Sequence, residues 1–151
     1  MQRQIVKKQA RMRKRMQKHD SVSYFKKDVF VHTFFKSLQP VEQKLCKKWL
    51  QQPSAFGLKY ESSFVLLHKF DTDFITDGPL RREARYHITF MHTPVEKRRR
   101  GHMRRLMSYC MSHFDALSAF PFSEESRALF ASLDWTFIES NNALPFVLFN
   151  K

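Results

Sequence analysis

The sequence predicts a mixed α/β fold in which a central sheet is flanked by helices, and three stretches point to it. Residues Tyr86 to Met91 alternate with the period of a strand, and the residues after Gly101 repeat apolar groups with the period of an amphipathic helix. From Ala116 onward the pattern reads strand, helix, strand, strand. A strand that feeds a helix returning to another strand is the pattern of a mixed central sheet with crossover helices.

With 151 residues the chain fits one domain with a tail, which we divide into a basic arm at 1–20 and a single domain at 21–151. A hydrophobic fraction of 42% with 16 Phe excludes a wholly disordered chain. Lys and Arg number 27 against 14 acids, a formal charge of +13, so the surface should attract polyanions, anionic membranes or acidic proteins. No run approaches the ~18 apolar residues that cross a bilayer, and the basic amino terminus has no apolar secretory segment. The expectation is an intracellular protein, cytoplasmic or nuclear. Cys46 and Cys110 both lie in helical patterns and read as buried free thiols. Without CxxC or HxxxH spacing, no metal site is expected.

The arm contains Arg3, Lys7, Lys8, Arg11, Arg13, Lys14, Arg15 and Lys18 with too few apolar groups to bury a face. It suits binding to nucleic-acid phosphates and a solvated tail equally; an organelle transit segment would be richer in serine. Leu38, Val41, Leu45 and Trp49 then recur at helical spacing. Because Pro40 is tolerated only in a first turn, the helix is placed at Pro40 to Gln51. Pro53, Ser54 and Gly57 break that pattern. Ser63 to Phe70, with the run Phe64 to Leu67, reads as a buried strand, and Asp71 to Ala84, with Asp77, Gly78 and Pro79, as a loop.

Tyr86, Ile88 and Phe90 alternate with His87, Thr89 and Met91, and neither set contains a full charge that forbids burial, so this should be a central strand. Met103, Leu106, Met107, Cys110, Met111 and Phe114 mark one helix face, and Arg104, Arg105, Ser108 and Ser112 the other. Ala116 to Phe120 reads as a strand ended by Pro121. Ser123 caps a helix with Glu124 and Glu125 in its first turn, running to Leu133. Trp135 to Glu139 and Pro145 to Phe149 are expected as strands joined by a turn at Asn141 and Asn142.

A strand that passes through a turn into a helix leaves unpaired amides at the helix start, where the dipole favours negative charge. A phosphate-bearing ligand is the natural guest. Gly101 lets backbone approach a ligand closely, and Arg98, Arg99 and Arg100 add positive charge. His102 is either a hydrogen-bond partner for phosphate or a plain polar residue of the first turn. His92 stands at the end of the central strand; histidine suits acid–base chemistry near neutral pH, yet strand histidines also serve as satisfied structural groups.

Arg98, Gly101 and Met103 fall at the positions of a motif of the GNAT superfamily of N-acetyltransferases: Gln or Arg, two residues, Gly, one residue, then Gly or Ala. Thr93 to Glu96 (TPVE) resembles that family's strand end and turn, and Ser126 to Trp135 (SRALFASLDW) its later helix and strand entry. The likeness spans about Arg85 to Lys151. It implies a GNAT-like fold in which Arg98 to Arg104 hold the pyrophosphate of coenzyme A. Met91 to Thr93 would then line the pantetheine arm, and a backbone amide there would polarise the thioester carbonyl. His92 becomes the candidate base. Three positions depart from the pattern: Met103 replaces a small residue, Phe130 stands where a proton-donating tyrosine is frequent, and Asp134 where glycine is usual.

The resemblance thus implies an acyl-CoA-dependent N-acyltransferase using acetyl-CoA, with a small amine, a protein amino terminus or a lysine as acceptor. The alternative is a catalytically silent module of the same fold. It would bind nucleic acid or a ribonucleoprotein assembly through the arm, Arg81, Arg82, Arg85 and Lys97 to Arg100.

Overall fold

The computed structural model describes residues 22–69, 85–140 and 143–150. The basic arm, Phe70 with the Asp71–Ala84 loop, and the Asn141–Asn142 turn lie outside them. In chain order the elements are β1 (Ser23–Phe25), α1 (Lys27–Thr33), α2 (Pro40–Leu50), β2 (Phe56–Tyr60), β3 (Ser63–Lys69), β4 (Tyr86–His92), α3 (His102–His113), β5 (Ala116–Ala119), α4 (Glu124–Ser132), β6 (Thr136–Ser140) and β7 (Ala143–Asn150). They build a seven-stranded sheet in the order β1-β2-β3-β4-β5-β7-β6. β4 is therefore the central strand. Only its pairing with β5 is parallel, bridged by the α3 crossover.

Because side chains alternate across a strand, the uncharged run of β3 buries both faces. Phe64 and Leu66 join Phe30, Cys46 and Trp49 under α1 and α2, whereas Val65 and Leu67 join Leu106, Met107, Cys110 and Phe130 under α3 and α4. The two cysteines thus lie on opposite sides of the sheet, buried and free. Burial pushes both thiols up to about 12.

α2 starts with Pro40 in its first turn and a reciprocal cap, in which a Glu42 carboxylate oxygen accepts the Gln39 N–H at 3.0 Å. Trp49 pins its far end by donating from Nε1 to the carbonyls of Leu67 (2.7 Å) and Phe56 (3.2 Å). Val41, expected on the core face, is 74% exposed, because the helix rests on Cys46 and Trp49 instead. β1, α1 and β2 were not legible in the sequence. Gly57, read as a breaker, lies inside β2, paired with Phe25, and a Cβ there would run into that ring. The glycine is the seat of a core phenylalanine rather than a stop.

Ser123 caps α4 by accepting the Ser126 N–H at 3.1 Å. Asp134, at the expected glycine position, has φ +62°, so the left-handed turn is kept with a residue that tolerates it.

One feature of β4 overturns a sequence expectation. Leu67 pairs with Ile88 and Leu66 with Phe90, which leaves Thr89 as an extra residue in a bulge. Past the bulge the alternation shifts by one. Phe90 packs beneath α1 and α2, and Met91 packs on the α3 side with Ile88, whereas unbroken alternation grouped Phe90 with Ile88 and Met91 with His87.

Candidate functional site

β4 and β5 pair at Tyr86–Leu117, His87–Ser118 and Ile88–Ala119, and then separate. β4 runs on to His92 while β5 stops at Ala119, followed within two residues by Pro121, which has no N–H to continue a ladder. From Thr89 onward the β5-facing backbone of β4 has no strand partner among the described residues. A bulge bends its strand, and the one at Thr89 sits where the split begins.

Beyond β4, a short 3-10 turn (Val95–Lys97) leads to α3. Arg99 (φ +65°) and Gly101 (φ +78°) are both left-handed, which turns the chain sharply into the helix. The Arg105 N–H closes the first helical bond on the Gly101 carbonyl at 3.0 Å, so the amides of His102, Met103 and Arg104 precede the ladder. Gly101 at the N-cap has no side chain to cap them, and no acid stands in the first turn. Arg98 steadies the turn by donating from Nε to the Thr93 carbonyl at 3.2 Å. A Cβ on Gly101 would meet nothing within 4 Å. Its glycine requirement is the positive φ, and any added side chain would project into open space.

A cavity of about 490 Å³ joins the split to this helix start. Of the candidate residues, Met91, His92, Thr93, Arg98, Arg99, Gly101, His102, Met103 and Arg104 line it, and Arg100 does not, being exposed outside the lining. Met103 is half-buried, packs against the core and also faces the cavity. Phe130 is fully buried against Trp135, with ring centroids 4.7 Å apart, and is absent from the lining.

Lys97, which the sequence reading named only for nucleic acid, and residues it did not name for the site complete the wall: Ser123, Glu125, Ser126, Ala128 and Leu129 around α4, and Glu42 from α2. One oxygen of Glu42 caps its own helix, and the other lies 3.4 Å from His92 Nδ1. Glu42 is legible as a cap from its spacing to Gln39, but nothing local relates it to a histidine fifty positions later. Thr93 shares a 3.0 Å hydrogen bond with Ser63. The His102 ring meets Tyr60 edge-on at 5.2 Å, and its Nδ1 has no hydrogen-bond partner among the described residues. Tyr60 OH in turn accepts from Arg105 at 2.6 Å.

A second cavity of about 240 Å³ lies deeper along β4 and shares Glu42, Met91, Ser123 and Ser126 with the first. Among the described residues no group of three or more His, Cys, Asp or Glu converges, and no helix is long and apolar enough to cross a membrane.

The fold recurs in solved structures. The N-acetyltransferase YlbP of Bacillus subtilis in complex with coenzyme A matches with TM-score 0.57 at 10% identity, over 86% of this chain and 97% of its own. The KacTA–DNA complex matches with TM-score 0.54 at 9% identity, over 76% and 79%. A mutant of KacT matches with TM-score 0.52 at 11% identity, over 85% and 94%. No family model and no curated protein matches the sequence. The chain shares the mixed α/β fold of these structures, at an identity where architecture is what the likeness shows.

Proposed function

We propose that the protein transfers an acetyl group from acetyl-CoA to an amine. The observation behind this reading is the joining, in one cavity, of a strand end that has passed its β5 partner and a helix start with a glycine at its N-cap, beside Lys97, Arg98, Arg99 and Arg104. The free amides of His102, Met103 and Arg104 suit a pyrophosphate, which the helix dipole and the basic side chains also favour. The exposed edge of β4 at Met91 to Thr93 suits an amide-containing arm, and an N–H there suits the oxyanion of an attacked thioester.

His92, oriented by Glu42, takes a proton from the acceptor ammonium. The freed amine attacks the thioester carbon, the C–N bond forms and the C–S bond breaks. The departing thiolate takes a proton from the attacking nitrogen, because Phe130 has none to donate. Calorimetric titration with acetyl-CoA tests the reading. Wild type should bind, and Gly101→Val, which strains a positive φ and fills the open space above the amides, should bind at least ~10-fold more weakly. No binding to wild type would overturn it.

A second reading, a module binding nucleic acid through the basic arm and Lys97 to Arg100, draws on the +13 charge and on the similarity to KacTA, which was solved with DNA. It predicts nucleic-acid binding that falls steeply with salt.

A further inference from the structure

We infer that the second cavity is the acceptor subsite and takes a primary ammonium attached to an apolar, ring-sized group; this rests on the acetyl-transfer reading. Leu45, Phe90, Phe120 and Phe122 supply its apolar walls, and Glu42 is the one charged residue among the described residues of its lining. In a chain of +13 formal charge, a carboxylate at an apolar cavity selects cations that bring apolar surface with them. A cavity of about 150 Å³ admits benzene, so about 240 Å³ holds a ring and a short chain.

The junction of the two cavities decides the orientation. They meet at Glu42, Met91, Ser123 and Ser126, and His92 lines only the first. An ammonium held at Glu42 therefore has its apolar group in the second cavity and its nitrogen toward the first, beside His92, where the thioester of the proposed donor would lie. In the transfer, one ammonium proton passes to the His92–Glu42 pair, the nitrogen bonds to the acetyl carbon, and the second proton leaves with the thiolate. The nitrogen keeps its last hydrogen as an amide. A free aryl-alkyl amine and a peptide with an aromatic first residue present the same chemistry.

The test is an NMR-monitored titration of the full chain, with and without coenzyme A, using 2-phenylethylamine, a phenylalanyl-glycyl-glycine amide and ethanolamine. One or both aromatic amines should bind at least ~10-fold more tightly than ethanolamine, and which of them does so identifies the source. Leu45→Arg, Phe122→Ala and Glu42→Gln should each weaken that binding; Phe122 is 62% exposed, so its variant should fold normally. Equal binding of ethanolamine, no binding of either aromatic amine, or indifference to all three substitutions would overturn the subsite. Aromatic-amine binding without acetyl-CoA binding would overturn acetyl transfer and leave the subsite standing. Acetyl-CoA binding without amine binding would do the reverse.

Discussion

The two ends of β4 are built from similar residues and do opposite things. At the paired end, His87 is buried, shares a 2.8 Å hydrogen bond with Ser118 of β5, and is pushed down to about 4 by burial and, secondarily, by His68. At the split end, His92 is half-buried, faces a carboxylate and lines a cavity. Both belong to one strand, but only where β5 stops does the histidine meet a cavity. The first histidine is closed in by its neighbour on β5, and the second, past the end of β5, stands open to the cavity.

Substitutions can break that contrast. Leu117→Ala, in the fully buried paired end, should cost about 2–5 kcal/mol in urea unfolding. Met91→Ala, half-buried at the split end, should cost less than half as much.

The pH dependence of stability should follow His87. The unfolded chain protonates this group as pH falls through 6.5, whereas the folded state resists until about 4. Its contribution is complete above pH 6.5 and is lost across that window, by roughly 3 kcal/mol. Denaturant melts from pH 7 to 4 should show this decline, and His87→Asn should flatten it.

Deleting Thr89 sharpens the comparison further. Removing the extra residue leaves Ile88 and Phe90 on the faces they already occupy, so stability should change by only about 1 kcal/mol. Straightening the strand should nevertheless weaken acetyl-CoA binding at least ~10-fold. If binding survives, the split does not depend on the bulge. The smallest effect belongs to Asp134→Gly, away from both ends: relief of a left-handed non-glycine residue should stabilise the fold by about 0.5–1 kcal/mol, read as a higher Tm.

Much of the second half was legible. The centrality of β4 followed from its uncharged alternation, α3 from its methionine and leucine stripe, and α4 from Ser123 and the acids after it. That the residues from Arg98 to Arg104, apart from Arg100, gather at one cavity was legible because one turn of contiguous chain brings them together. The first half was harder. β1 has three residues, and β2 contains a glycine whose reason is a ring from another strand. Val41 fitted the helical stripe yet faces solvent, since a periodicity names a face without saying how much of it a neighbour covers.

The mixed α/β class, the central strand and the basic turn before α3 could be read from contiguous residues, because each is set by local periodicity, capping or charge. That Glu42 reaches His92, that Phe130 is sealed in the core, and that a bulge at Thr89 reassigns the faces of β4 emerge only when distant elements pack together. Those facts depend on which strand lies beside which and where pairing ends, and that register is fixed by contacts between residues far apart in the chain.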